Sequence, residues 1–355
     1  MNRALVDTIV NAVLYEGYML YPYRPSSTKN RQRWTFGGIY PQAYSQMQNG
    51  TDPWIMQAEC LIEGDEQTTL NVSVRFLHLL MRQVGQLERP LAELPTSEEP
   101  AFHPVMALRV GDHLVHTWQE AVDREVAVAD VRLGALVSNP RRLPFSFPAW
   151  RALEPLSEPD GTTVGVIVRE QQMIQGMAEI AVVPVGERLF KVTVLIENRT
   201  PWQANRVDDR RDRDEALMRS FVSTHMILGV HGGAFISLLD PPEHLHELVE
   251  SCRNIGAWPV LVGEAGERDT LLASPIILYD YPQVAPESPG DLFDGTEIDE
   301  ILTLRILTMT DDEKQEMIAA DERARALLER TEALSEEDLL RLHGAVRSLR
   351  MLREG

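Results

Sequence analysis

The sequence predicts an α+β protein. Mainly antiparallel strands fill the N-terminal and central region, followed by a small α/β layer and a helical C-terminal arm. Three observations predict this order. Trp54–Ile62 and Leu70–Phe76 alternate apolar and polar residues across a short turn that contains Gly64. Short strand-like runs separated by turn signals recur from Val105 to Asn198. Beyond Thr310 the apolar spacing becomes helical, behind a capping box.

The elements follow in order. Ala4–Leu14 places Leu5, Ile9, Val13 and Leu14 near helical spacing. Asp7 interrupts its apolar run and no small-residue cleavage site follows, so it reads as an amphipathic helix and not a signal peptide. Tyr21–Tyr44 is rich in Pro, Ser and Gly and predicts loop. Trp54, Met56, Ala58, Cys60 and Ile62 share one strand face, and Leu70, Val72, Val74 and Phe76 share another. The turn Glu63–Gln67 between them predicts an antiparallel hairpin. Phe76–Val84 reads as helical or extended, and Leu87–Pro104 as a linker. Strands are expected at Val105–Val110, Val126–Leu133, Thr162–Arg169, Ala178–Pro184 and Phe190–Glu197, forming a sandwich or an open barrel.

Pro201–Glu215 is densely charged and predicts a solvated connector. Leu217–Val230 predicts a helix stopped by Gly232 and Gly233. Ala234–Leu239 predicts a strand. Asp240 then caps a helix whose buried stripe is Leu245, Leu248, Val249 and Cys252. Pro259–Val262 and Pro275–Tyr281 predict two more strands. Gln283–Asp291 is a break. Thr310–Glu313 opens a helix to Glu332, and Ser335 caps a last one to Leu352. The expected organisation is a β-rich region at 1–200, an α/β region at 201–283 and an acidic helical arm at 284–355.

The chain has a formal charge of −20, which argues against nucleic-acid binding through phosphate neutralisation. No apolar run approaches the ~18–20 residues that span a bilayer, so membrane insertion is not expected. Two cysteines build no disulfide framework and fit a reducing, cytoplasmic setting.

Against this acidic background residues 1–40 hold five basic side chains and two acids. Tyr21, Tyr23, Arg24, Lys29, Arg31, Arg33 and Trp34 form a basic, aromatic stretch suited to a protein partner or to a second copy of the chain. The alternative is aromatic packing beneath the sheet. Asp280, Glu287, Asp291, Asp294 and Glu297 make an acidic run suited to a divalent cation or to a partner, or to N-terminal helix dipoles. Its spacing is not that of an EF-hand.

His231-Gly232-Gly233 has the form of an oxyanion loop, but no nucleophile elbow follows it. His244 and His246 are two apart and diverge on a helix, and His113 and His116 have no third ligand. Cys60 and Cys252 fall on apolar faces and read as core residues. No phosphate-binding glycine loop is present. No cofactor is expected. The residues alone leave three readings open: a non-enzymatic binding protein, a metal-dependent enzyme using the carboxylates of 280–300, and a structural subunit of a larger complex.

Two whole strings, EGYMLYPYRPSSTKNRQRWTFGGIYP at 16–41 and ASPIILYDYPQVAPESPGDLFDGTEIDEILTLRILTMTDDEK at 273–314, resemble a bacterial protein family encoded beside nickel–iron hydrogenase structural and maturation genes. The resemblance implies an accessory, assembly or chaperone-like role whose partner is a hydrogenase subunit or maturation factor. It carries no catalytic residues. The chain lacks the cysteine pair, histidine-rich tract and GTPase loop of a direct metal-delivery factor, which favours a scaffold or chaperone role.

Overall fold

Period-two alternation decides where the core lies. The computed structural model describes residues 37–95, 98–203 and 209–283, with Val6, Asp7, Ile9, Val10, Met309, Thr310, Lys314, Arg325, Leu328, Glu329 and residues 331–333. Strand β1 (Ile55–Glu63) turns Met56, Ala58, Cys60 and Ile62 to one side, and all four are buried. Strand β2 (Thr69–Leu91) does the same with Leu70, Val72, Val74 and Phe76. These two faces meet in one hydrophobic core.

The predicted hairpin is corrected here. β1 does not pair with β2; its register partner is β11 (Leu189–Asn198), and the two strands face each other across the core from different sheets. The turn between them carries the chain from one sheet to the other. Asp65 Oδ1 accepts the amides of Gln67 and Thr68 there. Both strands have one apolar face, and burying both against each other removes more apolar surface from water than a flat hairpin would.

The remaining strands are β3 (Phe102–Val105), β4 (Ala107–Val110), β5 (His113–His116), β6 (Trp118–Arg132), β7 (Arg141–Phe147), β8 (Trp150–Ser157), β9 (Thr163–Gln171), β10 (Ile174–Gly186), β12 (Val222–His231), β13 (Ala234–Phe235), β14 (Trp258–Leu261) and β15 (Thr270–Ser274). One sheet has the order β13-β1-β11-β10-β7. A second runs β14-β15-β12-β2-β9-β8, with β3 and β6 also on β2, and β4 and β5 pair as a separate two-stranded sheet. The architecture is a β-sandwich with an extended second sheet.

The 23-residue β2 is its spine. Along one edge it pairs first with β12 and then with β9; along the other it pairs first with β6 and then with β3. Phe76–Val84, expected to be helical or extended, is extended, and the same strand continues to Leu91 through the start of the stretch expected to be a linker. A cluster of Phe76, Phe145, Phe147 and Phe221 closes one end of the core, with Phe76 and Phe221 centroids 4.7 Å apart.

The α+β expectation is overturned, because the described strand pairs are all antiparallel and helices are few and short: α1 (Gln42–Met47), α2 (Leu133–Ser138), α3 (Asp209–Leu217) and α4 (His246–Glu250). The expected α/β layer dissolves. The predicted helix Leu217–Val230 is strand β12, antiparallel to both β2 and β15. Nine of its ten positions are buried, so neither face carries a polar period, and a strand buried on both sides cannot be told from a buried helix by periodicity. The charged connector is in part helix α3. Gly232 is not a helix cap but a turn glycine at φ +77° behind β12.

At 275–281 there is no strand, whereas β15 just before it escaped the sequence reading. Pro242, not Asp240, precedes the short 3-10 turn that leads into α4, yet the expected stripe is present: Leu245, Leu248, Val249 and Cys252 pack on Leu61 and Ile236. No helical C-terminal arm belongs to the described structure, and most of 284–355 lies outside the described residues. Among the described residues no helix is long and apolar enough to cross a membrane.

Candidate functional site

The outer face of β2 is polar where its inner face is apolar. Asn71, Ser73 and Arg75 alternate with Leu70, Val72 and Val74. The strands on either side add small or short residues to that face: Ala127 stands opposite Ser73 on β6, and Gly229 opposite Asn71 on β12. Side chains this small cannot fill the space above the sheet. The result is a groove of about 830 Å³, floored by β2, β6 and β12 and bounded by Val6 and Asp7 of the N-terminal segment. Ile227 of β12 lines it too and packs with Val6, Ile9 and Val10.

Three carboxylates and one guanidinium line the groove: Asp7, Glu125, Asp130 and Arg75. Arg75 reaches Asp7 at 3.6 Å and Asp123 at 3.8 Å. Glu125 accepts the Ser73 hydroxyl through Oε1 at 2.6 Å. Asp130 sits at a bulge. Ala129 and Asp130 together oppose the single residue Asn71, and Asp130 takes φ +53°, a left-handed conformation that aspartate tolerates. The Asn71 carbonyl Oδ1 fixes this bulge by accepting the Asp130 amide at 2.7 Å.

Beside the floor lies His225, the cross-strand partner of Arg75 and fully buried. Its Nδ1–H donates to the Ser223 carbonyl at 3.0 Å, and its Nε2 has no hydrogen-bond partner. Burial drives its pKa down to about 4, and the nearby Arg75 charge acts in the same direction. The imidazole is therefore a neutral group packed behind a charged floor.

A second polar assembly braces the far half of β2. Gln171 Oε1 accepts Arg124 Nη2 at 2.9 Å and Trp150 Nε1 at 2.7 Å, while its amide donates to the His78 carbonyl at 3.2 Å. The Arg124 guanidinium lies 4.6 Å over the Phe147 ring. His78 Nε2 donates to the Gln172 carbonyl at 2.8 Å, and burial lowers its pKa to about 4. Glu120 joins Arg82 and Arg169 at 3.1 and 3.0 Å. These groups hold β6, β8 and β9 onto β2.

The residues singled out from sequence distribute differently. Tyr21, Tyr23, Arg24, Lys29, Arg31, Arg33 and Trp34 lie outside the described residues, as do Glu287, Asp291, Asp294 and Glu297. Asp280 is described, and both of its oxygens are engaged: Oδ1 accepts the Leu261 amide at 2.8 Å and Oδ2 the Ser237 hydroxyl at 2.5 Å. It clasps the segment after β15 to β14. Tyr40, last of the aromatics in the basic stretch, is buried and stacks on Tyr44, which meets Trp202 edge-on at 5.2 Å.

Cys60 is buried in the core, where burial pushes its thiol pKa up, and Cys252 is raised to about 11 for the same reason. Among the described residues no group of three or more His, Cys, Asp or Glu side chains is placed to hold a metal ion.

Sequence reasoning missed the groove. Its residues come from four separate stretches, and the polar half of the β2 alternation was the one signal for it. No family model and no curated protein matches the chain.

Proposed function

We propose that this chain is a cytoplasmic, non-enzymatic accessory protein that binds a protein partner, with the groove over β2 and the basic, aromatic residues Tyr21, Tyr23, Arg24, Lys29, Arg31, Arg33 and Trp34 as contact surfaces. One observation carries the reading. The groove is an open concavity of mixed apolar and charged lining on the sheet, and Glu125 and Asp130 are held by the Ser73 hydroxyl and by the bulge that Asn71 fixes. A preformed concave surface with fixed polar groups is suited to recognition. Asp280, the described member of the acidic run, has both carboxylate oxygens engaged in internal hydrogen bonds, and this counts against its use by a cation-dependent enzyme. The string resemblance at 16–41 and 273–314 supports a partner from hydrogenase assembly, a hydrogenase subunit or a maturation factor.

The test is affinity purification of the tagged chain from its own organism, followed by mass spectrometry, beside an Arg24→Glu/Arg31→Glu/Arg33→Glu variant. We expect a hydrogenase-related protein with the wild type and its loss with the triple variant. Recovery of no such protein in either sample would overturn the reading.

A further inference from the structure

We infer that the groove over β2 recognises a basic, extended segment of the protein partner, whose cationic side chains meet Glu125 and Asp130 in turn along β6. This deepens the accessory-protein reading and rests on it. The inference starts from which charges in the groove are already paired. Arg75 is shared by Asp7 and Asp123. Glu125 uses one oxygen on the Ser73 hydroxyl, and Asp130 contributes its backbone amide, not its carboxylate, to the bulge. Neither Glu125 nor Asp130 is paired with a cation among the described residues. Both stand on β6 and line the groove, with the small Ala127 between them on the same strand.

The shape favours an elongated occupant. The floor runs across three strands, and its small residues leave room for a chain and not only for an ion. Charge complementarity selects the sign: a basic segment meets two carboxylates spaced along β6, whereas an acidic segment meets repulsion. Asn71 and Ser73 give the same floor polar atoms within reach of a backbone.

The experiment uses the full chain and a fluorescent eight-residue peptide alternating arginine and serine. A matched peptide carries glutamate for arginine, and spermidine serves as a free polycation. Binding is read by anisotropy against a Glu125→Gln/Asp130→Asn variant and a charge-matched control, Glu187→Gln/Glu250→Gln, changed at exposed positions away from the groove. Thermal unfolding checks that both variants remain folded. We expect the arginine peptide to bind, the glutamate peptide not to bind, and affinity to fall roughly three- to tenfold in the groove variant alone.

Equal weakening in both variants would mean diffuse attraction to an acidic protein and would overturn the inference. So would no peptide binding at all, or displacement of the peptide by equimolar spermidine. The host purification separates the two proposals. A partner captured equally by wild type and groove variant overturns the groove and leaves the accessory role standing. Groove-dependent peptide binding with no host partner does the reverse.

Discussion

His225 shows how a single side chain sets a condition on the whole fold. It is neutral in the folded state because burial opposes its charge, and its pKa falls from 6.5 to about 4. The unfolded chain therefore binds a proton that the folded chain refuses, and stability is lost as pH drops from 6.5 toward 4. At pH 5 the cost of this one group is roughly 2 kcal/mol. His78 is shifted in the same direction to about 4, again chiefly by burial, so the two losses fall in the same window. We expect urea midpoints of the wild type to fall steeply between pH 7 and pH 5. His225→Gln should be less stable at pH 7, because glutamine also buries polar atoms, yet should lose less on acidification, by roughly 2 kcal/mol. An identical pH slope in wild type and variant would show that His225 is already protonated in the folded state.

At the scale of elements, several sheet edges carry proline. The strand paths end at β13 and β7 in one sheet and at β14 and β8 in the other; β3, with Pro104, and the proline-free β6 are further edges beside β2. β7 contains Pro144, β8 contains Pro155 and β14 contains Pro259, while β13 is two residues long. Proline cannot donate to a further strand, so each of these edges is a poor template for pairing. Replacing Pro155 with valine restores a donor and a β-branched residue on an edge strand exposed at most positions. We expect Pro155→Val to sediment at higher mass as concentration rises, under conditions where the wild type shows no such rise. Concentration-independent sedimentation of the variant would remove proline from the account of this edge.

The same prolines explain part of what was hidden in the sequence. β7 and β8 went unread because Pro144 and Pro155 argue against strand. β12 and β15 went unread because burial on both faces erases the period. β10 and β11, each with one mainly buried face, were legible residue by residue, and so was β1 through its alternating Met56, Ala58, Cys60 and Ile62, although Leu61 is buried on its other face. The groove was legible only as the polar half of Asn71–Arg75. Register, which brings Glu125 and Gly229 beside it, is a product of pairing between segments more than 50 residues apart and leaves no local trace.

For the molecule as a whole, β2 decides whether the two halves of the long sheet act as one unit. Its first half supplies Leu70, Val72, Val74 and Phe76 to the inter-sheet core, and its second half supplies Leu87 to a separate cluster with Val166 and Val168 of β9. The two clusters are joined by one unbroken backbone and by the Gln171, Arg124 and His78 brace between them. Loss of the inter-sheet core must therefore strip the β12 and β6 pairings from β2 and leave its β9 half without support. Phe76→Ala removes a fully buried ring from the aromatic cluster and should destabilise the protein by about 3–5 kcal/mol. The informative readout is native-state hydrogen exchange. If the spine couples the halves, the variant raises exchange at the amides of Val166 and Val168 on β9 by the same factor as at Met226 and Leu228 on β12. Acceleration confined to β12 would show instead that the β9 half opens and closes independently. The groove stands on the β12 half, so the same comparison reports whether strain applied by a bound partner can travel along β2 to the far end of the sheet.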